Sequence, residues 1–535
     1  MRWISLALAL ILVLALGGCG TKIENTPLPI DEKAGGTNTP IKGGSINIAM
    51  PANPETLNPL EAKSYELNDL FSLIFDPLVR YDAKMRPVPG LAERWSVDET
   101  GKVWKFTLQK GAVFHDGKAL GAADVVYTLT KLRDIYGDAN RTSLYSGVIP
   151  MISSFSANED GTVTIITKEA SARILHWLNF PILQNNSLGS GSIPPGTGAY
   201  RVTNYEAGKQ LTLTANEGWW RRTPYITTIV AKAMPDPDTA LNSMDVKLVD
   251  VVHTTSLTAH SFKRQNVTNV YELMTQEIEC IIPNMNNYML ADVRMRQAII
   301  AALDRKTIIT EAYLNHAVSI DVPITPDSYL YDTAHVQHTY STGRAKDLLK
   351  EMGYADTNGD GIVEKNGSPL AFTIIVNQNT LSSARIAAAR MAKEQLRVVG
   401  IDCEVKELGF TEFQAKLTAG TYDLAFAKFA TTQDGDLRFL LHSIGLRNYG
   451  KYRDSALDAL LTAFASAVNE SDQIEKSADV QEYIAEKLPI ISLYFRTNSL
   501  VSSASVFGIT GTRDNCLYRY IEQWYKLKVG DETAQ

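Results

Sequence analysis

The segment whose residue types and spacing come nearest to chemistry is Asp356-Thr357-Asn358-Gly359-Asp360-Gly361. Asp, Asn and Asp at alternate positions, with a glycine for the sharp turn, match the start of an EF-hand calcium loop, and Glu364 is compatible at its ninth position. The twelfth position asks for a bidentate Glu and holds Gly367. The segment therefore reads first as an Asp/Gly-rich turn between a helix over 344–352 and a strand from 370. Asp356, Asn358, Asp360 and Glu364 remain a weak calcium candidate. Other constellations are thinner. His115 and Asp116 are adjacent, so their side chains diverge and serve a turn rather than acid/base work. Gly196-Thr197-Gly198 opens like a dinucleotide loop, but Arg201 stands where the third glycine belongs. Gly111 to Lys118 has five residues between its glycines where a P-loop has four, and Ala119 replaces the hydroxyl that magnesium needs. There is no GxSxG elbow, no HExxH and no Cys/His pair with family spacing. The eight histidines are scattered, with only His335 and His338 close in sequence. The chain reads as no enzyme, and no cofactor is indicated.

The elements that would position any site alternate between strands and helices. SINIAM (45–50) reads as the opening strand. VWKFTL (103–108) puts Trp104, Phe106 and Leu108 on one face. Residues 160–167 read as a turn and a strand, and 210–215 and 227–233 as two more strands. Asp292 is a plausible N-cap for one helix over 293–314. Ser382 or Ser383 starts a second helix, ending at Gly400 as its C′ residue. Asp454-Ser455 starts a third, with Leu457, Leu460, Leu461 and Phe464 as its apolar stripe. A fourth runs over 472–488 and stops before Pro489. Strand 372–376, helix 383–399 and strand 401–405 form a βαβ unit, and 423–427 adds a strand. The later part thus carries a parallel or mixed sheet flanked by helices, and the chain reads as α/β in several lobes.

Length and charge bound the partners. The 535 residues predict two or three lobes. Lys plus Arg number 52 against 59 Asp plus Glu, a net charge of −7, which argues against nucleic acid as a partner. The long apolar run lies at the N-terminus: Arg2, then Ile4 to Leu16, then Gly17-Gly18-Cys19. It is too short to span a bilayer comfortably, since a span takes about 20 residues, and it fits an export signal over 1–19. Small residues before Cys19 resemble a lipobox, which implies a lipid-modified Cys19 and an extracytoplasmic body anchored to the cell membrane on its periplasmic or outer face. Residues 20–42, rich in Thr, Pro and Gly, read as a flexible tether. Cys280, Cys403 and Cys516 lie more than a hundred residues apart with no CxxC. At most one disulfide could join them, and they read first as small buried hydrophobes.

Several blocks then resemble, in order, the family 5 extracellular solute-binding proteins of ABC transporters, the oligopeptide, dipeptide and nickel-binding group. They are GGSINIAMPANPETLNPL (43–60), the stretch from FDPLVRYDAKM to ADVVYTL (75–129), GTGAYRVTNYEAGKQLTLTANEGWW (196–220), DVRMRQAIIAALDRKTI (292–308), LLKEMGYADTNGDGI (348–362) and LPIISLY (488–494). The resemblance implies a periplasmic-binding-protein-like fold of class II, three-lobed and of the peptide-binding type, with mixed sheets flanked by helices and a hinged cleft. Lobe I would comprise 43–74, 197–284 and 498–528, lobe II 75–196 and lobe III 285–497. It further implies a monomer that closes on a short peptide and passes it to an ABC permease, with ATPase subunits elsewhere.

In the peptide-binding members an Asp pairs with the ligand's free α-amino group, because an unpaired buried ammonium is costly. The matching stretch here is 423–443, with Asp434 and Asp436 as candidates. It departs from the family pattern at Phe429, which stands where a tryptophan is usual, and at Leu437, which replaces a proline. Asp436 also suits the cap of a helix over 437–442. By the same resemblance Asn53, Glu55 and Leu57 are cleft-edge residues, with Tyr65, Thr431 and Tyr449 beside them, while Trp219 and Trp220 pack the body. A binding protein for an oligosaccharide or a metal chelate, and a lipid-anchored peptide-sensing receptor, stay open as other readings.

Overall fold

The structure, a computed structural model, describes residues 40–51, 56–189, 193–378 and 383–527. Cys19, Asn53 and Glu55, the export signal and most of the tether lie outside the described residues. The opening strand, Ser45–Pro51, forms where expected: Ile46, Ile48 and Met50 alternate into the core. It pairs parallel with Thr228–Met234 and touches Val251–Thr254. These strands belong to an eleven-stranded mixed sheet. Its order is Asp402–Leu408, Ala371–Asn377, Leu424–Ala430, Thr268–Pro283, Ile491–Ser503, Val251–Thr254, Ser45–Pro51, Thr228–Met234, Gln210–Ala215 and Tyr200–Glu206, with Ala317–Ser319 pairing off this path. Ala371–Asn377 and Asp402–Leu408 run parallel through the helix Ser383–Val398, the βαβ unit read from sequence.

A separate antiparallel sheet of four strands, Ala92–Val97, Val103–Leu108, Val163–Thr167 and Ile152–Ala157, carries the helix Ala122–Tyr136. Trp104 and Phe106 are buried as the alternation requires, and Leu108 is half-buried. Phe106, Val163, Val125 and Leu129 share one apolar cluster with Ile46 and Ile48, so this sheet shares its interior with one end of the large one.

The expected single helix over 293–314 is two, Val293–Ala302 and Arg305–Ala312. Leu303 is extended, and Asp304 accepts the Thr307 amide at 3.1 Å. A second cap inside the apolar pattern restarts the helix. Asp454 caps Ser455–Ala465. Asn469 caps Glu470–Lys487, two residues ahead of the expected start. Cys280 and Cys403 are buried, Cys516 is half-buried, and all three are free. Among the described residues no helix is long and apolar enough to cross a membrane.

Two long strands tie the ends of the large sheet together. Thr268–Pro283 pairs antiparallel with Ile491–Ser503, but the register shifts between Met274 and Ile278. Before the shift, 268–274 pairs with 497–503; after it, 277–283 pairs also with Leu424–Ala430. The Thr275 hydroxyl sits in the irregular stretch, donating to the Arg496 carbonyl at 2.8 Å and accepting the Glu277 amide at 3.0 Å.

Candidate functional site

The loop that leaves strand Leu424–Ala430 carries both expected acids. Gly435 between them has φ 71°, a left-handed turn that glycine adopts without strain. It lets Asp434 point inward, where it is wholly buried. A buried carboxylate needs a cation, and Arg173, just ahead of the short helix Ile174–Trp177, supplies it. Arg173 Nε and Nη2 donate to Asp434 Oδ2 at 2.9 and 2.6 Å, and Trp177 Nε1 donates to the same oxygen at 2.8 Å. Arg173 Nη2 also reaches Asp436 Oδ2 at 2.8 Å. Asp436 takes Arg438 Nε and Nη2 at 3.0–3.2 Å and the Arg438 amide at 3.0 Å. The following helix is Arg438–Leu441, so Asp436 caps its first amide as well as binding cations.

Burial works against ionising Asp434. The Arg173 guanidinium overcomes it, with help from Thr432, His176 and Trp177, and holds the carboxyl well below the usual range. His176, one residue before Trp177, lies stacked between Tyr81 and Tyr329. Burial lowers its pKa to about 4, with Asp434 pulling the other way, so the ring is neutral at pH 7. Around this junction Ser171 Oγ donates to the Ala465 carbonyl at 2.8 Å and the Ala172 amide to the Ala467 carbonyl at 2.7 Å. The segment 171–177 is thus fastened to the loop 431–438 and to the end of Ser455–Ala465. Sequence reasoning missed Arg173, His176 and Trp177. An arginine inside the apolar run ARILHWL was the available signal, since a buried arginine must find an acid.

The other expected residues fall into two groups. Phe429, buried, stacks on half-buried Tyr449 with centroids 6.4 Å apart, and Gln414 donates to the Tyr449 hydroxyl at 2.7 Å. Thr431 donates to Gln276 Oε1 at 2.8 Å. It lines a crevice with Thr432, Gln433, Gly435 and Met85 of about 10 Å³, room for roughly one water. Leu57 and Tyr65 lie instead near the exit of the first strand. Tyr65 opens the helix Tyr65–Ser72, and its neighbours Ser64, Glu66 and Leu67 line a cavity of about 440 Å³. Lys63, Asp236 and His253 add polar groups to that cavity, and Met50, Leu70, Met234 and Tyr518 apolar ones. Its volume suits a small organic ligand.

Trp219 and Trp220 both donate their indole N–H to Asp76 Oδ2, at 2.9 and 2.7 Å, which fixes them in the body. Burial raises the Asp76 pKa, and the two indoles pull against that. In the calcium-candidate loop, Asp356 accepts the Gly359 and Gly361 amides, and Glu364 accepts the Thr357 amide and hydroxyl. Carboxylate oxygens of Asp356, Asp360 and Glu364 stand within 4.8 Å of one another. His115 and Asp116 diverge: the imidazole meets the Gly198 carbonyl, and the carboxylate accepts from Gln184.

The family model for bacterial extracellular solute-binding proteins, family 5 (middle), matches residues 86–448. The chain is 26% identical to the oligopeptide-binding protein AppA of Bacillus subtilis, over 98% of each chain. It is 24% identical to the nickel-binding periplasmic protein of Escherichia coli, over 71% of this chain and 74% of that one. Its fold matches an unliganded open form of a periplasmic murein tripeptide-binding protein with a TM-score of 0.81, at 18% identity, over 92% of this chain and 99% of the other.

Proposed function

Since this chain belongs to the bacterial extracellular solute-binding proteins, family 5, we propose that it is the substrate-binding lipoprotein of an ABC importer, capturing short peptides between hinged lobes and delivering them to the membrane permease. The family consists of binding components of importers, not enzymes, and its members work outside the cytoplasm. The observation that carries the peptide reading is the likeness to an oligopeptide-binding protein along 98% of both chains.

The lobes of this reading are 43–74 with 197–284 and 498–528, then 75–196, then 285–497, and the register shift at Met274–Ile278 is their hinge. Ligand in contact with both sides favours closure by that differential contact. We assign one side of the seat to Asn53, Glu55, Leu57 and Tyr65; Ser64, Glu66 and Leu67, the neighbours of Tyr65, line the 440 Å³ cavity. The other side is Phe429, Thr431, Asp434, Asp436 and Tyr449. Asp434 and Asp436 already face Arg173 and Arg438, two acids against two cations. A ligand ammonium therefore gains an acid only by competing with a guanidinium. Asp436, with a side chain 15% exposed, is the one it reaches without parting Arg173 from Asp434. Lipidation at Cys19 completes the reading by tethering the binder beside its permease.

Calorimetry on the purified protein with a short-peptide library tests this, alongside mass spectrometry of ligand released on unfolding. Peptides should bind with Kd below about 100 μM, and N-acetylation or Asp436→Asn should weaken them by about tenfold, roughly 1.4 kcal/mol. Release of an oligosaccharide or a metal chelate, with no peptide bound, would sink the assignment.

A further inference from the structure

We propose that His260, Glu272 and His316 form a site for a divalent transition-metal ion of the zinc class. They come from three separated segments: the turn Ala259–Phe262, the long strand Thr268–Pro283, and the residue just before Ala317–Ser319. His260 Nε2 lies 3.2 Å from Glu272 Oε1, and His316 Nδ1 lies 3.1 Å from Glu272 Oε2. One donor atom from each residue stands within 4.8 Å of the others, and the two imidazole rings face each other with centroids 4.6 Å apart. Tetrahedral zinc, with bonds near 2.0–2.2 Å, sets its ligand atoms roughly 3.3–3.5 Å apart. Small side-chain shifts bring these three into that geometry.

The surroundings are those of a built site. Ser499 Oγ donates to Glu272 Oε1 at 2.8 Å, and the Thr497 hydroxyl donates to Oε2, so the carboxylate is oriented from behind, as metal-binding carboxylates are. The His316 side chain is 1% exposed, and Nδ1 is the ring nitrogen turned toward Glu272. His260 and Glu272 are 46% and 31% exposed, which leaves solvent access for an ion and a fourth position for water. Two imidazoles and one carboxylate select zinc, nickel or copper over calcium or magnesium. The all-oxygen cluster at Asp356, Asp360 and Glu364 has the opposite preference.

The ion would join the turn Ala259–Phe262 to the long strand and to the segment entering Ala317–Ser319. The Thr497 amide donates to the His316 carbonyl, so the site is continuous with the second long strand too. It lies two residues before the register shift that begins at Met274, and binding would stiffen that crossing.

The test uses the full chain, stripped with chelator and titrated with zinc chloride by calorimetry at about pH 7.5. Cobalt is added in parallel, because tetrahedral cobalt absorbs in the visible. One zinc should bind per chain, and H260A or E272Q should weaken it at least tenfold. His260 is exposed, so H260A should keep the wild-type circular dichroism. Zinc should also raise the Tm of the wild type but not of H260A. The double variant D356N/D360N should bind zinc like the wild type. No zinc uptake at about 100 μM, unchanged affinity in H260A, or loss of binding in D356N/D360N instead would each overturn the proposal.

Discussion

Arg173 and Asp434 stand 261 positions apart in the chain and meet through two hydrogen bonds, 2.9 and 2.6 Å, to a single carboxylate oxygen that is wholly buried. Removing either partner leaves the other charge buried and unpaired. Asp434→Asn or Arg173→Ala should therefore lower the unfolding free energy by about 3–5 kcal/mol. An apolar double replacement, Arg173→Met with Asp434→Leu, should recover at least half of that, because it removes both charges. Urea unfolding followed by circular dichroism measures all three. Single variants that lose less than about 1 kcal/mol would show that the pair is solvated. The same experiment guards the ligand assignment, since weaker peptide binding by Asp434→Asn counts only where the variant is folded.

Acid should weaken this junction in two stages. Burial lowers the folded pKa of His176 from 6.5 to about 4. The unfolded chain thus binds a proton that the folded one refuses between those values. Stability falls as pH drops through that window, by up to about 3 kcal/mol for a shift of this size. Asp434 has a depressed pKa despite its burial, owing chiefly to Arg173. Its contribution is present above the unfolded carboxylate value near 4 and is lost below it. Unfolding free energies from pH 7 to 3 should show a decline that begins near 6.5 and continues below 4. His176→Phe, which keeps the ring between Tyr81 and Tyr329, should flatten the first stage only. A first stage of unchanged slope in that variant would show that His176 is not its source.

Gly196 shows where the sequence speaks and where it is mute. Its placement in GTG suggested a failed phosphate loop, but the glycines serve close backbone packing. A Cβ on Gly196 would lie 1.9 Å from the Ile74 carbonyl oxygen, and one on Gly198 would lie 2.6 Å from the Ile74 carbonyl carbon. Gly196→Ala should cost on the order of 3 kcal/mol or more, read as a fall in Tm with a normal dichroism spectrum below it. A Tm within about 1 °C of wild type would mean that the backbone there moves aside freely. Local signals were readable in the same way: Ile46 and Ile48, Trp104 and Phe106, and the cap Asp454 each act within a few residues. The break at Leu303–Asp304 was hidden because the apolar stripe continues across it. For Arg173 the sequence offered a charge inside an apolar run but not its partner 261 positions away, and the His260–Glu272–His316 cluster is assembled from three segments distant in the chain.

The register shift in the strand Thr268–Pro283 depends on a single buried side chain. A bulge interrupts the ladder and twists it locally, and here the irregular stretch is pinned by one hydroxyl. Thr275 Oγ1 accepts the Glu277 amide and donates to the Arg496 carbonyl, and Thr275 is 1% exposed. Thr275→Val keeps the shape and removes both bonds, leaving the Glu277 amide without that acceptor. Stability should fall by about 1–2 kcal/mol. Amide exchange should quicken at 275–278, while the flanking 268–274 and 279–283 keep their protection, because their ladder bonds are untouched. If these strands are the hinge, small-angle scattering of peptide-free and peptide-loaded variant should still show compaction, since the variant loosens the crossing without blocking it. Exchange at 275–278 as slow as in the flanks would mean that the stretch is rigid without its hydroxyl, and the crossing would then have to bend elsewhere.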